Sequence, residues 1–218
     1  MQTRNYTPFP SQSFISTAKN GEQFYTVVSR ATFAIVPDQP LRPHPEQQPL
    51  VMADEFYGEM NCSSLKVESD LSPVKPGTDV YFINPVAHAP GGKPAPAWLV
   101  RVKVGPLEKS LRVTGPRAWE YSRLFGWRLT EPQPVLTVPI RYELAFGGCW
   151  KNGERAAGFD RNYVGRGFVN LDLVDRSKPI PAPQLEDPAE PVKELGKPVA
   201  PAGLGPLTRT WQPRLKKA

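Results

Sequence analysis

The sequence predicts an all-β protein, mostly antiparallel sheets in a sandwich- or barrel-like arrangement, with long loops and an extended Pro-rich C-terminal segment. Three observations carry this expectation. The chain holds 27 prolines and 17 glycines in 218 residues, and proline removes a backbone donor and clashes inside a helix, which excludes a long helical bundle or coiled coil. Short runs alternate apolar and polar residues, as in Val100, Val102 and Val104 against Arg101 and Lys103, the period of two that a half-buried strand requires. Glycine and proline punctuate those runs as turn residues do. At 39% hydrophobic and 10% aromatic residues, the chain can bury a core, so global disorder is not expected.

Three segments follow along the chain: residues 1–21 as a polar N-terminal arm, 22–176 as the β domain, and 177–218 as an extended segment packing on or beside it. Residues 23–36 predict the first strand, with Tyr25, Val27, Phe33 and Ile35 on one face. A Pro-rich break separates Pro37 from Pro49. Ser64–Ser69 alternates, which places Glu68 on one strand face with Asp70, and residues 79–83 form a further strand after a turn at Lys75-Pro76-Gly77. The clearest element is an antiparallel hairpin through Val100–Val104 and Leu107–Val113, turned by Gly105-Pro106. Ala118–Phe125 reads as a short helix. Residues 135–144 read as a strand that Pro134 and Pro139 confine to an edge, with Arg141 and Glu143 on one face. Cys149–Arg166 reads as a long ordered loop, and the prolines of 177–213 favour polyproline-like backbone over a core.

Catalytic motifs mostly fail. Gly91-Gly92-Lys93 lacks the earlier glycine of a phosphate loop, and Pro94 replaces its Ser/Thr. Ser16-Thr17-Ala18-Lys19 matches a Ser-x-x-Lys pattern but lies in the polar arm, without its companion motifs. The two histidines, His44 and His88, have no further ligand at zinc spacing. Cys62 and Cys149 stand far apart, which predicts reduced, packed thiols rather than a disulfide framework. A nucleophile pair with His88 has no local signature to support it. The carboxylates Glu55, Glu59, Glu68, Asp70, Glu143, Asp160 and Asp172 single out no catalytic pair, and structural ion pairs are the expectation. No cofactor or metal is expected.

Charge and aromatic residues point to binding instead. The formal charge is +6, from 27 Lys and Arg against 21 Asp and Glu, but the basic residues are dispersed and the only dense run is Lys216-Lys217 after Arg214. Neither a nucleic-acid nor a membrane partner is expected. No run of about 18 apolar residues and no secretory signal are present, which favours the cytoplasm. Trp98, Trp119 and Trp127 sit among apolar residues and read as core. Trp150 and Trp211 lie in Gly- or Pro-rich loops near Lys151 and Arg214, so these two tryptophans and Arg214 are candidates for a partner surface.

The ordered motifs LKVESDLSPVKPGTDVY, AHAPGGKP, VRVKVGPLEKSLRV, RYELAFGG, NYVGRGF, PQLEDP, PAGLGPL and WQPR resemble one bacterial family. These are the type VI secretion effector adaptors or chaperones, long catalogued only as domain-of-unknown-function family 2169. The likeness runs from about Tyr57 to Arg214, and Phe24–Ile35 is similar to that family's first strand. The resemblance implies a cytoplasmic, non-enzymatic protein. Such adaptors hold an effector that carries a PAAR-like spike-tip domain and help load it onto the VgrG spike. It marks Arg141, Tyr142, Glu143, Phe146, Gly147 and Gly148, with Asn162, Gly165, Arg166, Gly167 and Phe168, as motif positions. Of these, Arg141, Glu143, Phe146, Asn162 and Arg166 join Trp150, Trp211 and Arg214 as partner-binding candidates. Members usually continue past Trp-x-Pro-Arg into a segment rich in aromatics and aspartate, whereas this sequence stops at Lys216-Lys217-Ala218, as a short member or part of a longer adaptor would. The alternative reading is a carbohydrate-binding or carbohydrate-active β domain, resting on the aromatic candidates and the carboxylates.

Overall fold

Short strands joined by turns make up the computed structural model, which describes residues 3–18, 20–60, 62–71, 79–212 and 214. The predicted turn at Lys75-Pro76-Gly77, Lys19 of the Ser-x-x-Lys pattern and the terminal Lys216-Lys217 lie outside the described residues. Among those residues are eighteen strands and two single turns of 3-10 helix, so the protein is all-β, with almost every ladder antiparallel. The chain divides into two compact units, residues 1–55 with 67–79 and residues 56–66 with 80–218.

In the first unit, β1 (Ser11–Thr17) and β2 (Gln23–Ser29) pair antiparallel, with Phe14 opposite Thr26 and Ile15 opposite Tyr25. The expected arm therefore contains a strand. Its polar alternation conceals a ladder that needs only backbone groups. The expected strand over residues 23–36 is interrupted, with β3 (Phe33–Ala34) pairing separately with β4 (Arg42–Pro43). The face predicted to be buried is largely open: Val27 is 54%, Phe33 43% and Ile35 87% exposed. Arg30 and Asp70 form an ion pair at 2.9 Å, and the same Asp70 oxygen accepts the Val51 amide. Strands β5 (Glu55–Phe56) and β6 (Leu65–Val67) carry the chain across the unit boundaries. Because β6 ends at Val67, Glu68 and Asp70 do not share a strand face as predicted.

The second unit holds the core. Strand β7 (Val86–His88) precedes the predicted hairpin, which forms as β8 (Ala97–Val104) and β9 (Leu107–Thr114). Gly105 takes φ +56° ahead of Pro106, as a type II′ turn demands. Leu111 and Val113 of β9 are fully buried, with Trp98, Val100 and Val102 of β8 packed against them. Ala118–Phe125 is corrected from helix to strand: β10 (Ala118–Ser122) pairs with β11 (Gly126–Leu129) around a turn. Trp119 then lies buried while Glu120 is exposed, a period of two that the short apolar set did not disclose. β12 (Thr137–Pro139) pairs with β7. The strand expected to run on to Leu144 instead closes in a 3-10 turn, Tyr142–Leu144. Residues 79–83, also expected as a strand, carry no ladder, although the Phe82 amide bonds to the Leu204 carbonyl at 2.9 Å.

β13 (Phe146–Gly147) is followed by β14 (Cys149–Asn152) and β15 (Arg155–Gly158), which form a hairpin inside the expected long loop, and by β16 (Arg166–Gly167). Cys62 and Cys149 are exposed free thiols, a correction to the packed thiols expected.

The C-terminal segment contributes β17 (Ile180–Pro181), paired with β10, and β18 (Leu185–Glu186), paired with β9. It also builds both core clusters. Leu185, Ala202, Leu204 and Trp211 join Leu111, Val113, Val138, Ile140 and Tyr142, while Ala182, Val192, Leu195 and Val199 join Trp119 and Phe146. The expectation of extended backbone in place of a core is therefore corrected. Residues 182–186 and 202–204 are buried as continuous runs, with Val192, Leu195 and Val199 buried between them.

Glu186 is buried beneath this segment. Its carboxylate pairs with Arg112 at 3.0 Å and with Arg117, and it accepts the Val192 amide at 2.9 Å. Structural ion pairing holds here, between residues that are not neighbours in sequence.

Candidate functional site, a platform of two glycine-rich motifs

Residues 141–148 and 162–168 are brought together by a short parallel ladder. Phe146 of β13 lies opposite Arg166 of β16, and Gly147 opposite Gly167. Such close approach needs residues without side chains. A Cβ on Gly148 would stand 2.6 Å from the Gly165 carbonyl oxygen, and one on Gly165 would stand 2.7 Å from the Ala145 oxygen. Both distances are shorter than any real Cβ contact, so the glycines of the two motifs serve each other.

Side chains then lock the loops. Asn162, fully buried, donates through Nδ2 to the carbonyls of Tyr142 at 2.8 Å and Phe146 at 3.0 Å. Arg166, half-buried, donates through Nε to the Glu143 carbonyl at 2.9 Å and reaches the Gln184 side chain at 3.4 Å. Burial lowers the pKa of that guanidinium, and the nearby Glu143 charge acts against the shift. The Glu143 carboxylate accepts both the amide and the hydroxyl of Ser64, each at 2.7 Å. These donors and the Glu143 carboxylate are engaged with main chain or with one another, as buried groups mostly are, whereas the buried Asn162 Oδ1 has no partner among the described residues.

Within the platform's two motifs, Arg141 and Tyr163 are exposed. Arg141, exposed, stacks its guanidinium 4.1 Å over the Tyr57 ring. Beneath it is a shallow pocket of about 240 Å³ lined by Tyr57, Gly58, Ser63, Pro139, Arg141 and Glu143. Cation–ring stacking holds the guanidinium plane while leaving its donors available, which suits recognition of a carboxylate. Arg141 and Glu143 do not share a strand face as expected, because β12 ends at Pro139 and Glu143 lies in the 3-10 turn.

The remaining candidates fall elsewhere. Phe146 is buried and meets Phe159 edge to face at 5.1 Å. Trp211, expected to be exposed, is 4% exposed and packs edge to face on Tyr142 at 6.1 Å. It is corrected to a core residue, because the Pro-rich segment folds inward rather than lying over the surface. Arg214 is half-buried and donates to the Leu207 carbonyl at 2.6 Å. Trp150 is half-buried in β14 opposite Ala157, away from the platform's ladder. Tyr57, Ser64 and Gln184 complete the platform and were not singled out from sequence. They lie far from its motifs along the chain, and only the paired glycines offered a hint that the motifs meet.

Among the described residues no group of three or more His, Cys, Asp or Glu could hold a metal ion, and no helix is long and apolar enough to cross a membrane. No curated protein and no solved structure matches the chain. Residues 20–218 match the family described as uncharacterized protein conserved in bacteria, DUF2169, and with nearly the whole length covered, the chain belongs to that family.

Proposed function

We propose that the protein is a type VI secretion adaptor, a non-catalytic chaperone that binds a PAAR-like effector in the cytoplasm and helps load it onto the VgrG spike. The ordered motif string supports this reading. The observation that carries it is how the motif residues are used. Asn162, Arg166 and Glu143 spend their polar groups on holding loops, while Arg141 is presented outward on Tyr57. A rigid scaffold that displays a cation beside a pocket is the equipment of a binding surface. The carbohydrate alternative relied on open aromatic platforms, and Trp211 is buried.

The test mixes the purified chain with the PAAR-like effector of its host and follows the mixture by size-exclusion chromatography and calorimetry. A saturable, stoichiometric complex without turnover is expected, weakened by Arg141→Ala. A wild-type chain that leaves the effector unbound would rule the reading out.

A further inference from the structure

Strand β8 is the outer strand of its sheet, whose order is β18, β9, β8. Among the described residues no other strand pairs with its eight-residue outer edge. The hairpin register tells which groups face outward. Val104 pairs with Leu107 across the two-residue turn, so the main chain of residues 98, 100, 102 and 104 bonds to β9. The N–H and C=O groups of Leu99, Arg101 and Lys103 then point away from it. Three residues thus offer six main-chain hydrogen-bonding groups in a row.

The two faces of this edge differ. On the face with Leu99, Arg101 and Lys103, Leu99 is 67% exposed and the two cations are exposed. Arg101 reaches Glu108 at 2.8 Å. On the opposite face, Val102 and Val104 open into a cavity of about 250 Å³ whose walls include Val80, Phe82, Leu107 and Leu204. Val80, Val104 and Leu107 are each more than 40% exposed there.

Charge selects among occupants. A second copy pairing antiparallel about Arg101 would set Arg101 against Arg101, and like charges directly opposite each other are destabilising. A strand carrying acidic residues would meet Arg101 and Lys103 favourably, and its alternate residues would enter the apolar cavity. We infer that the outer edge of β8 receives an extended segment of the effector, alternating acidic and apolar residues, as an added strand. This rests on the adaptor reading above and names the feature of the partner that is recognised.

The experiment uses the full chain and the host's PAAR-like effector. Lys103→Pro removes an outward N–H while leaving every bond to β9, a position where an edge strand tolerates proline. It should weaken effector binding by at least about tenfold with the melting temperature little changed. Arg101→Glu combined with Lys103→Glu should weaken it comparably, and more at low salt than at high. Hydrogen exchange on the wild-type chain gives a readout that needs no variant: the amides of Leu99, Arg101 and Lys103 exchange fast when free and become protected in the complex. A complex in which those amides stay fast and Lys103→Pro binds like wild type would overturn the inference and leave the adaptor reading standing. If the wild-type chain forms no complex, both fall together.

Discussion

The side-chain amide of Asn162 donates to the main-chain carbonyl of Tyr142 across 2.8 Å, fastening the second glycine-rich motif to the 3-10 turn of the first. Asn162→Ala would strip the Phe146 carbonyl of this amide's donor, at a cost of about 1–3 kcal/mol, while the Tyr142 carbonyl keeps the Ala145 amide at 3.1 Å. Chemical denaturation should report a loss of about 2 kcal/mol, the middle of that range for one stripped carbonyl. A change below about 0.5 kcal/mol, the size of an ordinary surface substitution, would show that the clamp is dispensable.

Trp211 closes the larger core cluster against Tyr142. Truncating a buried tryptophan costs about 3–5 kcal/mol through lost transfer energy and the cavity left behind. Trp211→Ala is therefore expected to express poorly or melt well below wild type. Wild-type stability with weakened effector binding would instead make it a surface anchor.

Glu186 neutralises Arg117, whose side chain is 5% exposed, and also pairs with Arg112. Glu186→Ala leaves a buried cation uncompensated and should cost about 3–5 kcal/mol, whereas replacing Arg117 and Glu186 together by Met and Leu should recover most of it. The comparison is made by a double-mutant cycle in urea. Additive losses from the two positions would mean that the pair has no coupling.

Tyr142 gives an alkaline signature. Burial pushes its phenol from 10.0 up to about 12, because the interior disfavours the phenolate. Below pH 10 the phenol is neutral in both states and costs nothing. Between pH 10 and pH 12 the unfolded chain ionises first, so stability falls with rising pH by as much as about 2.7 kcal/mol. Tyr142→Phe should flatten that limb in denaturation curves taken from pH 9 to 12. A limb of unchanged slope would assign the effect to another group.

What the sequence by itself determined was the all-β class and the hairpin of residues 100–113, since proline content excludes long helices and a period of two with a Gly-Pro turn is a local signal. The resemblance of its ordered motifs to a known family also marked the motif positions that form the platform. Only the tertiary structure decided which of those residues hold and which present. The Asn162 and Arg166 bonds cross about twenty residues of chain, and Glu143 reaches Ser64 over 79 positions. The Pro-rich segment was misread for the same reason. Its composition describes local backbone, whereas its buried side chains at Leu185, Leu204 and Trp211 depend on apolar strands far earlier in the chain. Likewise, alternation identified β8 as a strand, but whether its outer edge is covered depends on where every other strand lies.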